Sequence, residues 1–102
     1  MKIHAVQLDC VWEDPEASRA RVDALLAGLR CERHDLVVLP EMFLTGFSLR
    51  SEVTAQASGG EQEVWLQQWA ARLGCALLGG VVTCGGEGIF NEAVAFAPDG
   101  AL

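Results

Sequence analysis

Residues Asp35 to Leu39 read DLVVL, a strand written for burial on both faces. After the acidic start, Leu36, Val37, Val38 and Leu39 follow one another without polar alternation. Such a strand must be covered on both faces, which is the habit of parallel strands in α/β proteins. Pro40 ends it, because proline donates nothing to a sheet ladder. Glu41 therefore stands at the carboxyl end of the strand, followed by the apolar run Met42, Phe43 and Leu44. A carboxylate between a buried strand and an apolar loop is expected to lose part of its hydration, which suits a general base. Strand ends in open sheets are also where sites gather. A plainer role, as a solvated loop acid or a helix-start acid, fits the same position, and the residues alone leave both open.

A chain of 102 residues has room for one small domain. With 51% hydrophobic and 21% charged residues it has the composition of a globular domain rather than a disordered one. Fourteen acids against seven bases give a net charge of −7. That balance argues against nucleic acid and against an anionic membrane surface as partners, since both need basic patches. No apolar run reaches the length of a membrane span, and MKIHAVQLDC lacks the long apolar region of a signal peptide. The expected location is the cytoplasm.

Cys10, Cys31, Cys75 and Cys84 form no C-x-x-C pair and are expected to be free thiols. No metal site is expected from them or from His4 and His34, because the ligand spacing is too loose. The first three read as small apolar fillers, and Cys84, in a Gly-rich turn, as the most exposed.

Residues 2–8, KIHAVQL, alternate as a strand with His4, Val6 and Leu8 on one face. His4 is expected to be a packed or edge histidine. Asp14-Pro15 marks a helix start, with Asp14 as N-cap and Pro15 at the first position. Val22, Leu25, Leu26 and Leu29 give this helix one apolar stripe. Arg19, Arg21 and Asp23 read as its solvated face, and Arg30 and Arg33 as cations near its end. Strand, helix and DLVVL together make a βαβ unit.

Beyond Glu41, Gly46 suggests a turn needing positive φ, and a polar loop then runs to Ser58-Gly59-Gly60. Phe43 and Phe47 are read as core plugs in preference to pocket walls. A second helix is expected from about Glu61 to Leu73, with Leu66, Trp69, Ala70 and Leu73 as its stripe and Gly74 as its stop. Cys75 to Val82 reads as a third strand, in which Gly79 and Gly80 point to a bulge or a close backbone approach. TCGGEG lacks the lysine and the helix of a phosphate loop. A fourth strand follows from Ile89 to Ala97, and Pro98-Asp99-Gly100 is a turn. The two helices can cover one face of these strands, while the strands are written for burial on both.

LPEMFLTGF resembles the first catalytic motif of the nitrilase superfamily, the carbon–nitrogen hydrolases, and in particular the PEMFxxGF wording of its omega-amidase-like branch. Asn91-Glu92-Ala93 likewise resembles an N-x-A strand of that family, and the order of elements fits throughout the chain. The resemblance implies an α/β fold: the N-terminal portion of a four-layer α-β-β-α sandwich, here about four strands and two helices. Residues 1–102 would then be part of one domain that continues further. It also implies a Glu–Lys–Cys triad that cleaves a small amide through an acyl-thioester, needs no cofactor, and works in a homo-oligomer. Glu41 matches the general base. The sole lysine, Lys2, opens the first strand and cannot match, and none of the four cysteines inherits the nucleophile's place. The isolated chain is therefore expected to be inactive. A non-catalytic remnant or partner-binding module, and one chain of a split amidase, stay open beside the enzyme reading.

Overall fold

The computed structural model describes all 102 residues, Met1–Leu102. The first strand, β1 (Ile3–Ala5), lies parallel to β2 (Leu36–Val38), with Ile3 opposite Leu36 and Ala5 opposite Val38. β1 is shorter than the sequence predicts, but its alternation holds: His4, Val6 and Leu8 are the half-buried positions. His4 is a packed edge histidine whose Nε2 lies 2.9 Å from Asp35 Oδ2.

Helix α1 (Pro15–Ala27) begins as its sequence predicts, with the Asp14 carboxylate accepting from Ala17 N at 3.0 Å. Its buried line is Ser18, Val22 and Leu26, while Leu25 is exposed. Ser18 tolerates burial because its hydroxyl donates to Val11 O and accepts from Val11 N. The helix stops at Ala27, so Arg30 and Arg33 lie beyond its last turn and Cys31 lies in the following loop. Asp23 is no solvated residue either. Its Oδ1 accepts from the indole N–H groups of Trp65 at 3.1 Å and Trp69 at 2.7 Å.

The polar stretch after Glu41 holds two elements too short to announce themselves by periodicity. Ser51–Thr54 is a single helical turn, α2, and Gln56–Ala57 is a two-residue strand, β3. Helix α3 (Glu61–Leu73) ends at Gly74, whose φ of 69° supplies the left-handed cap. Strand β4 (Ala76–Gly85) runs on past the expected end, and the hairpin to β5 (Gly88–Phe96) tightens to Gly86-Glu87. The sheet thus has five strands with three helices, against about four and two expected. The Pro98-Asp99-Gly100 turn forms as predicted, with Gly100 N donating to Ala97 O at 2.9 Å.

β4 is the hub. β2 pairs in parallel with its start and β3 in parallel with its end, while β5 pairs antiparallel along its length. Val37, Leu77, Val81, Val94 and Phe96 share one sheet face and are buried beneath Val22, Leu26, Leu66, Trp69 and Ala70 of α1 and α3. The opposite face, with Ile3, Ala5, Leu36, Val38, Leu78, Ala93 and Ala95, carries no helix and is half-buried to exposed. No helix is long and apolar enough to cross a membrane.

Candidate active site

Glu41 leaves the sheet in the gap along β4 between β2 and β3. Leu39 N donates to Leu78 O at 2.8 Å and Gly80 N to Pro40 O at 3.4 Å, so β4 holds the chain up to the residue before the glutamate. There the backbones nearly touch: a Cβ on Gly80 would lie 2.6 Å from Glu41 Cα and 3.0 Å from Met42 N. This is the close approach that the two glycines in the strand pointed to.

Met42 then takes a φ of 49°, a left-handed conformation that costs a non-glycine residue about 1–2 kcal/mol. Its carbonyl accepts from Thr45 N at 3.2 Å and Gly46 N at 3.0 Å, and Gly46 has the positive φ, 73°, expected of it. The turn drives Phe43 to the helix side of the sheet, where it is fully buried and stacked on Trp65 with ring centroids 5.7 Å apart. Phe43 is the core plug expected, whereas Phe47 is exposed.

From the other side of β4, Asn91 reaches the same carboxylate. Asn91 stands opposite Val82 in the hairpin ladder, and its Nδ2 donates to Glu41 Oε1. Together Glu41, Gly80, Leu78, Asn91 and Ala93 wall a cavity of about 380 Å³ on the helix-free face. Glu41 is nevertheless exposed. The expected loss of hydration is not met, because no apolar element lies over that face.

A second clamp holds the far end of the loop. Arg50 Nε and Nη2 donate to Glu13 at 2.8 and 2.5 Å, Ser48 Oγ donates to it at 3.1 Å, and Glu13 N donates to Thr45 O at 2.9 Å. The Arg50 guanidinium, with help from Ser48, holds the Glu13 carboxyl below its ordinary range. Nothing in the local pattern announces this pair, whose members are 37 residues apart.

Lys2 lies away from Glu41, and Cys75 is unreactive. Lys2 N donates to Asp35 Oδ1 at 2.9 Å, which puts Lys2 at the opposite end of β2 from Glu41. Burial, with the Cys31 thiol beside it, pushes the Cys75 thiol up to about 12, so it stays protonated and inert at neutral pH. Cys84 is exposed as expected, and Cys10 and Cys31 are half-buried. No group of three or more His, Cys, Asp or Glu side chains is placed to hold a metal ion.

The carbon-nitrogen hydrolase family model matches residues 2–102. The chain belongs to the carbon–nitrogen hydrolase family. It is similar to the omega-amidase YafV of Yersinia enterocolitica, with 33% identity over all of this chain and 39% of that protein. It is similar also to a nitrilase of Pyrococcus abyssi, with 26% identity over all of this chain and 41% of that protein. Among solved structures it is similar to XC1258 from Xanthomonas campestris, described as a CN-hydrolase superfamily protein with an arsenic adduct in the active site. The TM-score is 0.89 at 38% identity, over 97% of this chain and 37% of that one. The chain thus spans about two-fifths of the length of the carbon–nitrogen hydrolases it matches. Its α/β fold corresponds to the N-terminal portion of theirs.

Proposed function

We propose that this chain is the part of a carbon–nitrogen hydrolase domain that carries the general base, Glu41, for cleavage of a small amide. One observation carries the reading: the glutamate of the PEMFLTGF motif lies on the wall of a cavity, fixed there by Gly80 and Asn91.

In this reading Glu41 takes the proton of a cysteine thiol supplied from outside these 102 residues. The thiolate attacks the amide carbon, a lysine stabilises the oxyanion, and the amine leaves with the proton that Glu41 returns. An acyl-thioester remains. Glu41 then draws a proton from water, whose oxygen attacks the thioester carbon; the acid is freed and the displaced thiolate takes that proton back from Glu41. The wording of the motif and the likeness to YafV support a small dicarboxylate monoamide as substrate, cleaved to ammonia and the diacid. Assembly into a homo-oligomer and a cytoplasmic location complete the proposal. The apolar, helix-free sheet face supports a domain completed by further chain, covalent or separate, over a stand-alone binding module.

The test is ammonia release from small amides by the protein expressed from its full reading frame, alongside its Glu41→Gln variant and the 102-residue chain alone. Release by the wild type, abolished by Glu41→Gln and absent from the 102-residue chain, is the expected result. Release that survives Glu41→Gln would overturn Glu41 as the base. Release by the short chain that Glu41→Gln abolishes would overturn its dependence on outside residues.

A further inference from the structure

We propose that Asn91 is the positioning residue of Glu41, holding Oε1 so that Oε2 alone takes and returns the proton. The inference rests on Glu41 being the general base.

The Glu41 carboxylate is exposed, and the Asn91 amide is the one protein group hydrogen-bonded to it. An ionised carboxylate only accepts hydrogen bonds, so the nitrogen end of the amide must face it. The two residues are 50 positions apart and come together through β4. Gly80 brings the Glu41 backbone against the strand from one side, and the β4–β5 ladder delivers Asn91 from the other, with Gly80 opposite Ala93 and Val82 opposite Asn91. Backbone and side chain of the base are thus both referenced to the same three residues of β4.

The chemistry of the donor also fits. A lysine or arginine at position 91 would hold the carboxylate as firmly, yet its positive charge would favour the ionised form and weaken the base. An amide orients without adding charge. With Oε1 occupied, one oxygen remains to meet a thiol and later a water, so a single geometry serves both proton transfers.

The experiment compares wild type, Glu41→Gln, Asn91→Ala and Asn91→Asp, each expressed from the full reading frame, for kcat, KM, pH profile and thermal unfolding. Asn91 is an exposed residue of β5, so both of its variants are expected to fold with unchanged Tm. Asn91→Ala should lower kcat roughly 10- to 100-fold while KM stays within about twofold. Asn91→Asp keeps the size but replaces the donor by a negative charge. It should lose more than Asn91→Ala, and the acid limb of its pH profile should move to higher pH. Wild-type kcat in Asn91→Ala, beside an inactive Glu41→Gln, would overturn the inference and leave the hydrolase reading standing. So would equal losses in both variants carried by KM alone. An inactive wild-type protein would overturn the hydrolase reading and this inference with it.

Discussion

Gly80 lacks a side chain because Glu41 occupies the space that one would need. A methyl group there would meet backbone, Glu41 Cα at 2.6 Å and Met42 N at 3.0 Å, and neither atom can swing aside as a side chain would. Gly79 is a useful contrast. Its added Cβ would meet the Phe43 ring at 3.0 Å and Leu66 methyls at 3.2 and 3.4 Å, all of them side-chain atoms. Gly80→Ala is therefore expected to cost about 1–3 kcal/mol of stability, the range for forced overpacking, and to displace the Glu41 loop. Gly79→Ala, whose neighbours can give by a few tenths of an ångström, should cost less. Denaturant unfolding of both variants checks the order, and equal midpoints would show that the Glu41 backbone yields freely. The strain at Met42 belongs to the same contact: the chain must turn at once beyond the glutamate to send Phe43 into the core.

At the scale of elements, β1 and β2 are joined by a carboxylate as well as by their ladder. Asp35, just before β2, is buried and accepts from Glu32 N at 3.0 Å, His4 Nε2 at 2.9 Å and Lys2 N at 2.9 Å. These bonds, with the Glu32 amide first and His4 next, hold its carboxyl far below the ordinary value of 3.8. Because the folded value is the lower one, the stabilisation is present above pH 3.8 and is lost as pH falls below it. Tm measured against pH should drop on that acid side in the wild type and flatten in Asp35→Asn, which is less stable at neutral pH. Parallel curves would rule the clamp out. This clamp was not legible in the sequence, where Asp35 is merely the polar start of an apolar strand. Elements with strong local signals were legible: the Asp14-Pro15 cap, the Gly74 stop, the doubly apolar strand and the paired glycines beside the Glu41 loop. What escaped was set by contacts distant in the chain. Asp23 looks solvated until Trp65 and Trp69 arrive from α3, Glu13 looks idle until Arg50 reaches it, and β3 exists only because Thr83 and Cys84 offer it a ladder. Asn91 lay between the two cases, since its place in a family-like strand was visible and its partner was not.

Across the whole molecule, the two sheet faces are unequal. α1 and α3 seal one, while the other presents Ile3, 62% exposed, together with exposed Ala5, Ala93 and Ala95 around half-buried Leu36, Val38 and Leu78. The cavity beside Glu41 opens on this same face. A covering laid over this face would enclose Glu41 as well, whereas in this chain the carboxylate stays exposed. The net charge of −7 opposes association, but it does not remove an apolar surface of this extent from water. The 102-residue chain by itself is accordingly expected to bind a hydrophobic dye and to self-associate over an about tenfold rise in concentration. Ile3→Lys combined with Ala95→Glu, both on exposed positions of that face, should suppress both signals with little change in Tm. Sedimentation at several concentrations, with dye fluorescence alongside, decides the matter. A wild-type chain that stays monomeric and dye-free would mean the face is polar enough to stand open. Association that the paired substitutions leave untouched would place the sticky surface elsewhere.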